Sequence, residues 1–282
     1  MATQGCDPLS LLDSSSPARS GRKRPPRRTT PKLPKIWLKS PASARDAEAN
    51  VRSVLEPGDV VTIAEWAPLP VFWLRFAYGQ IRRNQKEIFG NQSNWYDTHC
   101  MLYLDEKHTL SVQFPVNLWR TPKDYCKERI SIYRFTKHSP FAPDEVAAMK
   151  EYFETYLLGV RYNIGELIDI RLSNIFGFRN QLHALLFGNV NRRHTVCSVG
   201  VREVLEALGQ KLNQCGRDGF GTLFRKPNAL AAWPGGVFPQ SRDPSSYAVD
   251  LWVTAPAHFA NSSHYDNEFE LIAMFDQGYR VY

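Results

Sequence analysis

Two strand-like runs joined by a short turn constrain the fold of this chain more than any other feature. They occupy residues 98–116, THCMLYLDEKHTLSVQFPV, with the polar residues DEKH between them. Apolar residues that alternate on both sides of such a turn predict an antiparallel hairpin. Residues 129–136, RISIYRFT, alternate in the same way, and LEPGDVVTIAEW at 55–66 leads from a Pro57-Gly58 turn into another alternating run. We therefore expect at least four strands.

Helical patterns follow the strands along the chain. Residues 142–159 begin with a proline and two acidic residues, repeat apolar residues at helical spacing and end at Gly159, which predicts a helix. Helices are also predicted around 71–86, 164–187 and 197–208, the last with Gly209 as its stop. Two short apolar runs near the C-terminus, at 248–256 and 268–275, are expected to add strands.

The positive charge of the chain is confined to its N-terminal part. Residues 1–40 hold nine basic and two acidic residues, a net charge of +7, which equals the formal charge of the whole chain. The remaining residues hold 26 basic and 26 acidic side chains and are neutral. A basic groove for nucleic acid within the folded part is therefore not indicated.

The same N-terminal part predicts a boundary. Residues 1–48 are rich in Ser, Pro, Arg and Lys and hold few large apolar groups, so burial cannot offset the entropy lost on ordering. We expect a disordered basic tail over 1–48 and a folded domain over 49–282, with a core at about 55–230 and a C-terminal extension at 231–282. Any polyanion or acidic partner is expected to bind residues 19–39, although short basic runs are also common in solvated tails.

Cysteine usage and hydropathy restrict the compartment. Five widely spaced cysteines without a CxxC pair indicate neither a disulfide framework nor a zinc ribbon, and they favour a reducing compartment. No apolar run approaches the roughly 20 residues that a membrane-spanning helix needs. Asp7 and Asp13 interrupt the position of a secretory signal, so a cytoplasmic location is favoured.

One cysteine stands where a thiol can react. The stretch HTVCSVGVREVLEAL at 194–208 places Cys197 in the first turn of a predicted helix, and a helix N-terminus and a nearby imidazole both lower a thiol pKa. His99 begins a predicted strand, and Gln113 lies on the partner strand. The pattern predicts that Cys197 attacks an acyl carbon, His99 transfers the proton, and Gln113 hydrogen-bonds the second ring nitrogen of His99.

Other assignments remain open at this stage. The backbone N–H of Cys197 is a candidate oxyanion donor, with Tyr96 or Asn94 as the second. Free cysteines are usually buried and inert, so the other cysteines of the predicted domain are expected to be structural: Cys100, Cys126 and Cys215. His194 and Cys197 have the H-x-x-C spacing of half a zinc site, but the second half is missing, so no metal or cofactor is predicted.

The order of these segments resembles a known family. LEPGDVV, THCMLYLD, SVQFP and TVCSVGVREVLEAL are similar, in that order, to the circularly permuted papain-like hydrolases of the NlpC type, in which a PGD turn opens the first strand and the His-bearing strand precedes the Cys-bearing helix. The resemblance covers roughly 55–230 and includes RKPNAL at 225–230. It implies an α+β papain-like domain whose central antiparallel sheet packs on helices.

The resemblance also implies a function. Cys197 matches the family nucleophile, His99 the base and Gln113 the polar third member, where relatives usually carry Glu, while Asp59 matches a structural turn residue. The expected activity is a thiol-dependent hydrolase that cleaves an amide or ester bond of a peptide, cell-wall peptide or lipid through an acyl-enzyme. Two alternatives are a lipid acyltransferase, similar to the lecithin:retinol acyltransferase group, with 71–79 contacting the acyl chain or a membrane, and an inactive binding or structural protein that uses the basic tail.

Overall fold

The protein is described by a computed structural model that covers residues 42–64, 78–79, 81–83, 85–86, 89–90, 96–113, 116–161, 197–224, 254–264 and 267–282. The helices with defined bounds are α1 (Ala44–Arg52), α2 (Pro143–Tyr152), α3 (Cys197–Gln214) and α4 (Pro256–Ala260). The strands are β1 (Val60–Ile63), β2 (His99–Asp105), β3 (His108–Ser111), β4 (Leu118–Arg120), β5 (Ile130–Phe135), β6 (Phe269–Asp276) and β7 (Tyr279–Arg280).

The strands form one seven-stranded antiparallel sheet in the order β4-β3-β2-β1-β5-β6-β7. The predicted hairpin is present as β2 and β3, in which Met101 pairs with Ser111. The carboxylate of Asp105 accepts hydrogen bonds from the N–H groups of Lys107 and His108, which closes the turn. The predicted α+β class with a central antiparallel sheet is confirmed.

Hydrogen bonds join the PGD turn to two strands of the sheet, β2 and β5. Gly58 adopts a φ of 92° and donates its N–H to the carbonyl oxygen of Tyr103 at 2.7 Å, next to the start of β1. The buried Asp59 carboxylate accepts the N–H of Glu56 and a two-pronged hydrogen bond from Arg134 on β5, with both Arg134 distances at 2.9 Å. Asp59 thus has the contacts of a structural turn residue.

The two faces of the sheet carry separate apolar cores. One core contains apolar side chains from alternate positions of β2, β3 and β5, together with the inner faces of α2, α3 and α4. The second core contains Val61, Ile63 and Met101 on the opposite face, covered by α1. Helices therefore cover both faces, as expected for strands that are buried almost throughout.

The N-terminal boundary differs from the sequence prediction. Residues 44–48, expected to belong to the disordered tail, are the first half of α1, whose Ala47 and Val51 are fully buried. The Ser43 side chain accepts the N–H of Asp46 at 3.1 Å and caps the helix. The predicted boundary at residue 49 therefore lies too far along the chain. The composition did not reveal α1, because only two small apolar side chains pack this helix against the domain. Residues 1–41 lie outside the described part.

The helix predictions are confirmed in part. Residues 142–159 contain α2 followed by a π-helical turn at Phe153–Leu157, and Gly159 has a φ of 72°. The described residues between 78 and 89 are helical, whereas 71–77 and the predicted helix at 164–187 lie outside the described residues. Helix α3 does not stop at Gly209: a Cβ there would lie 2.3 Å from the carbonyl oxygen of Phe220, so this glycine allows close packing inside a helix that continues.

The C-terminal residues belong to the central sheet. The run at 268–275 forms β6, which pairs with β5 over six residue pairs from Ile130↔Phe275 to Phe135↔Phe269. Part of the predicted C-terminal extension is therefore integral to the sheet. The run at 248–256 is not described before residue 254, and its last residue begins α4.

Candidate active site

The first turn of α3 lies against the start of β2. Helix α3 packs on β2, and the Cys197 thiol donates a hydrogen bond to the carbonyl oxygen of Thr98 with a Sγ–O distance of 3.9 Å. Val201, Val204 and Leu205 continue the buried face of the helix into the same core. The repeat of apolar residues that predicted the helix therefore also fixes the sulfur above residues 98–100.

The structure places the Cys197 sulfur beside the segment that contains Thr98 and His99, the residue predicted as its base. His99 is the first residue of β2, pairs with Ile63 of β1 and is 4% exposed, and Cys197 is 2% exposed. The hydrogen-bonding capacity and the charge of the imidazole both act to lower the pKa of the Cys197 thiol. A thiol beside an imidazole in the protein interior can exchange a proton with it.

Cys100, His99 and burial all influence the pKa of Cys197. The largest influence is a hydrogen bond from the Cys100 side chain, which lowers the Cys197 pKa; burial raises it, and the hydrogen bond and charge of His99 lower it again. The net result is a Cys197 pKa well below that of an ordinary thiol. Burial raises the pKa of Cys100 in turn, so Cys100 remains protonated and can donate its hydrogen to the neighbouring sulfur.

A chain of hydrogen bonds sets the tautomer of His99. The Ser111 hydroxyl lies 3.0 Å from Nε2 of His99 and donates its hydrogen to Oε1 of Gln113 at 3.1 Å. Because that hydrogen is committed to Gln113, the Ser111 oxygen can only accept from Nε2–H. The neutral ring therefore carries its hydrogen on Nε2, which leaves Nδ1 as the nitrogen that can take the thiol proton.

Gln113 is in place, but it does not have the contact that the sequence predicted. We expected its side chain to hydrogen-bond the second ring nitrogen of His99, and the structure inserts the hydroxyl of Ser111 between them. Ser111 was not predicted. The signal was present, because Ser111 and Gln113 are two residues apart in an extended segment and so share one face with the residue opposite them.

Polar contacts also hold the segment that leads into His99. The buried Asp97 carboxylate accepts a hydrogen bond of 2.5 Å from the Thr62 hydroxyl. The Gln85 amide donates to the Asp97 carbonyl oxygen at 2.7 Å and accepts the N–H of Ala257 at 2.8 Å. Burial raises the Asp97 pKa, while the charges of Arg129 and Arg82 oppose that rise. These bonds fix the backbone just before the catalytic candidate.

The predicted oxyanion donors have different outcomes. Asn94 lies outside the described residues. Tyr96 is 39% exposed, its ring lies under the guanidinium of Arg129 at 5.4 Å, and its carbonyl oxygen accepts a hydrogen bond from Arg82. Tyr96 therefore lines the surface beside the segment that leads to His99, and the Cys197 N–H remains the candidate donor closest to the sulfur.

The remaining cysteines differ from one another. Cys126 is buried in the second core, on the far side of the sheet, and its thiol lies 3.6 Å from the carbonyl oxygen of Lys123. Cys215 is exposed just after α3, so the prediction that it is a buried structural residue is wrong. Cys100 is buried as predicted, and it lies in the same core as Cys197, whose pKa it lowers.

Neither a metal-binding cluster nor a membrane-spanning helix occurs among the described residues. Those residues contain no cluster of three or more His, Cys, Asp or Glu side chains able to hold a metal ion, and His194 lies outside them. The helices among them include none with the length and apolar character needed to cross a bilayer.

The chain was compared with models of protein families, with curated proteins and with solved structures, and none of the three comparisons finds a match.

Proposed function

We propose that this protein is a thiol-dependent hydrolase of the papain-like type, which cleaves an amide or ester bond through an acyl-enzyme on Cys197. One observation carries the proposal: the Cys197 sulfur lies on the first turn of a helix, 3.9 Å from the carbonyl oxygen of the residue before His99, and the ring of His99 is hydrogen-bonded to Ser111, which is in turn bonded to Gln113. This combination is what nucleophilic catalysis by cysteine requires.

The proposed reaction begins with proton transfer. Nδ1 of His99 takes the thiol proton, and the resulting imidazolium keeps its second hydrogen on the Ser111 oxygen. The Cys197 sulfur attacks the acyl carbon, and the developing oxyanion accepts a hydrogen bond from the Cys197 N–H. His99 then returns the proton to the leaving amine or alcohol, which leaves a thioester on Cys197.

The second half of the reaction returns the sulfur to its starting state. A water molecule gives a proton to Nδ1 of His99 while its oxygen attacks the thioester carbon. The carbon–sulfur bond breaks, the acid is released, and the thiolate is regenerated beside the imidazolium. The chain of hydrogen bonds through Ser111 and Gln113 holds the ring in one orientation through both halves.

Acyl transfer is a second candidate on the same residues. The sulfur and the ring are 2% and 4% exposed and belong to or border an apolar core, and a site closed to water favours an amine or alcohol as acceptor. The two reactions differ only in the second half. They are separated by adding hydroxylamine or a primary alcohol: a transferase passes the acyl group to the added acceptor in preference to water.

The experiment that tests the proposal traps the thioester. The full chain is mixed with p-nitrophenyl esters of short, medium and long acyl chains, and p-nitrophenolate release is followed with intact mass and peptide mapping. We expect a burst of release equal to the enzyme present and an acyl group on Cys197. Cys197→Ala and His99→Ala should abolish the burst, whereas Cys126→Ala, a matched change of a buried cysteine on the other face of the sheet, should keep it.

The result that would overturn the proposal is equally specific. If none of the esters acylates Cys197, or if Cys197→Ala retains the burst, the sulfur is not the nucleophile and the site is not an acyl-transfer centre. Circular dichroism of each variant is the control that its fold is retained.

A further inference from the structure

A pair of thiols occupies the candidate site, although the proposed reaction needs only one. Cys100 and Cys197 come from different elements, β2 and α3, which pack on each other, and both side chains belong to the same buried core. The Cys197 sulfur lies 3.9 Å from the carbonyl oxygen of Thr98, two residues before Cys100. Both are free and buried. The proposed acyl transfer assigns no step to Cys100.

The position of Cys100 suits attack on the neighbouring sulfur. A disulfide requires the two Cβ atoms to lie within about 4.5 Å and the sulfurs to close to about 2.05 Å. Cys100 belongs to the same core as Cys197, so a movement of the first turn of α3 toward β2 would bring the two sulfurs together without a change in the sheet. Cys126 lies in the other core and Cys215 is exposed after the end of α3, so neither offers this approach.

The chemistry balances with a hydroperoxide as oxidant. The Cys197 thiolate attacks the O–O bond, the sulfur gains a hydroxyl, and the leaving oxygen takes a proton from the His99 imidazolium. The Cys100 sulfur then attacks the sulfur of the sulfenic acid, its own proton goes to the departing hydroxide, and water is lost. One peroxide is reduced, two thiols are oxidised, and a thiol reductant reverses the change.

We propose that Cys100 is a resolving thiol, which captures oxidised Cys197 as a reversible intramolecular disulfide and so switches off the nucleophile while protecting it from further oxidation. The inference deepens the proposed function because the disulfide would regulate the same sulfur. It rests on that function in one respect: the disulfide inactivates the protein only if Cys197 is the nucleophile. The disulfide itself requires no acyl chemistry.

The competing fate of oxidised Cys197 makes the role of Cys100 measurable. A sulfenic acid without a partner thiol proceeds to sulfinic acid, which thiol reductants do not reverse. Attack by the Cys100 thiol within the same molecule should be faster than reaction with a second peroxide molecule, so the disulfide should form first. Removing Cys100 should therefore change the oxidation product and not merely its rate.

The test oxidises the full chain with hydrogen peroxide, blocks remaining thiols and maps the peptides under non-reducing conditions. In the parent protein we expect a Cys100–Cys197 cross-linked peptide that dithiothreitol removes. In Cys100→Ala we expect Cys197 sulfinic acid to increase about ten-fold and to resist dithiothreitol. Cys215→Ala, which removes the exposed thiol instead, should behave as the parent.

Two outcomes would overturn the inference: accumulation of Cys197 sulfinic acid in the parent with Cys100 still alkylated, or cross-links from Cys197 mainly to Cys215 or between chains. The parent result alone decides, so the inference stays falsifiable if Cys100→Ala fails to fold. Ester acylation measured on the same samples separates the two proposals, since a disulfide without acylation refutes only the hydrolase, and acylation without a disulfide refutes only the switch.

Discussion

At the scale of single residues, Ser111 is expected to matter more than Gln113. Ser111→Ala removes the acceptor of the buried Nε2–H of His99 and frees the ring to rotate and change tautomer, so kcat/KM for ester cleavage should fall about 100-fold. Gln113→Ala removes only the partner of Ser111, and a neutral hydrogen bond contributes about 1 kcal/mol, which predicts a fall of about five-fold. Steady-state kinetics with p-nitrophenyl esters measures both effects.

A control separates positioning from general loss of structure. Thr109→Val removes a buried hydroxyl from the same strand, where it pairs with the Tyr125 hydroxyl at 3.2 Å, and it should leave kcat/KM nearly unchanged. Ser111→Ala should also shift the pH profile of Cys197 alkylation upward, an effect that simple destabilisation does not produce. Equal kinetic losses in the Thr109 and Ser111 variants would refute a specific role for Ser111.

The lowered pKa of Cys197 predicts a pH dependence. Because the Cys100 and His99 hydrogen bonds favour the thiolate, alkylation of Cys197 by iodoacetamide should stay fast as the pH falls well below about 8.5, the pKa of a free thiol, and should drop only at the lower folded-state pKa. By linkage, ionisation of Cys197 stabilises the fold fully above about 8.5, and this stabilisation is lost as the pH falls through the folded-state pKa.

The measurement uses mass spectrometry to follow Cys197 alone from pH 5 to pH 9, with urea-unfolded chain as the reference. The unfolded chain should follow the ordinary titration of a thiol. If folded and unfolded chains give parallel profiles, the site does not stabilise the thiolate. Bulkier maleimides should react more slowly than iodoacetamide in the folded chain, because the sulfur is buried.

The residues of the site could be predicted from the sequence only where their chemistry is unusual. Cys197 stood out because it preceded an apolar helical face, and His99 because it opened a strand. Ser111 and Cys100 did not, because serine in a strand is typical of a solvent-facing position and a buried cysteine is usually inert. Their roles depend on which neighbours the fold supplies, and single-residue patterns do not contain that information.

At the scale of elements, the PGD turn is expected to be sensitive to an added methyl group. A Cβ on Gly58 would lie 2.1 Å from a ring carbon of Phe141 and would force a φ of 92° on an alanine. Strain and overpacking each cost about 1–3 kcal/mol, so Gly58→Ala should lower the free energy of unfolding by about 2–6 kcal/mol. Urea denaturation followed by tryptophan fluorescence gives the value.

Gly159 provides the matched control for that prediction. It has a φ of 72°, but nothing lies within 4 Å of the Cβ that alanine would add, so only the backbone cost applies. Gly159→Ala should therefore cost about 1 kcal/mol. Equal costs at the two glycines would show that the contact with Phe141 does not constrain the turn.

Elements were predictable where one periodicity ran for several residues. The hairpin, β5 and α2 have alternating or helical patterns, and the structure confirms them. Helix α1 has only two buried apolar residues and was hidden in a polar stretch, although Ser43 followed by Asp46 is a capping signal. Strand β4 has only three residues, too few for an alternating apolar pattern to be recognised in the sequence. It forms by pairing with the edge of β3.

At the scale of the whole molecule, charge and site chemistry occupy different parts of the chain. The net charge of +7 resides in residues 1–40, whereas the candidate site lies between residues 98 and 197 of a neutral remainder. A role of the N-terminal charges in binding a polyanion is therefore separable from the reaction proposed at Cys197. Binding driven by these charges should weaken steeply with salt, because counterions are released from the polyanion.

Two triple variants with the same change of charge test this separation in the full chain. One converts Arg22, Lys23 and Arg24 to glutamine; the other converts three exposed lysines of the domain, Lys107, Lys123 and Lys127, to glutamine. Each lost phosphate contact reduces the slope of log K against log salt by about 0.9, so the N-terminal variant should bind a DNA duplex more weakly with a slope lower by up to about 3, while the domain variant binds as the parent does. Fluorescence anisotropy at several salt concentrations measures both quantities, and ester acylation of Cys197 should be the same in all three proteins. If both variants weaken binding equally, polyanion binding depends on the overall charge of the chain and residues 19–39 have no special role.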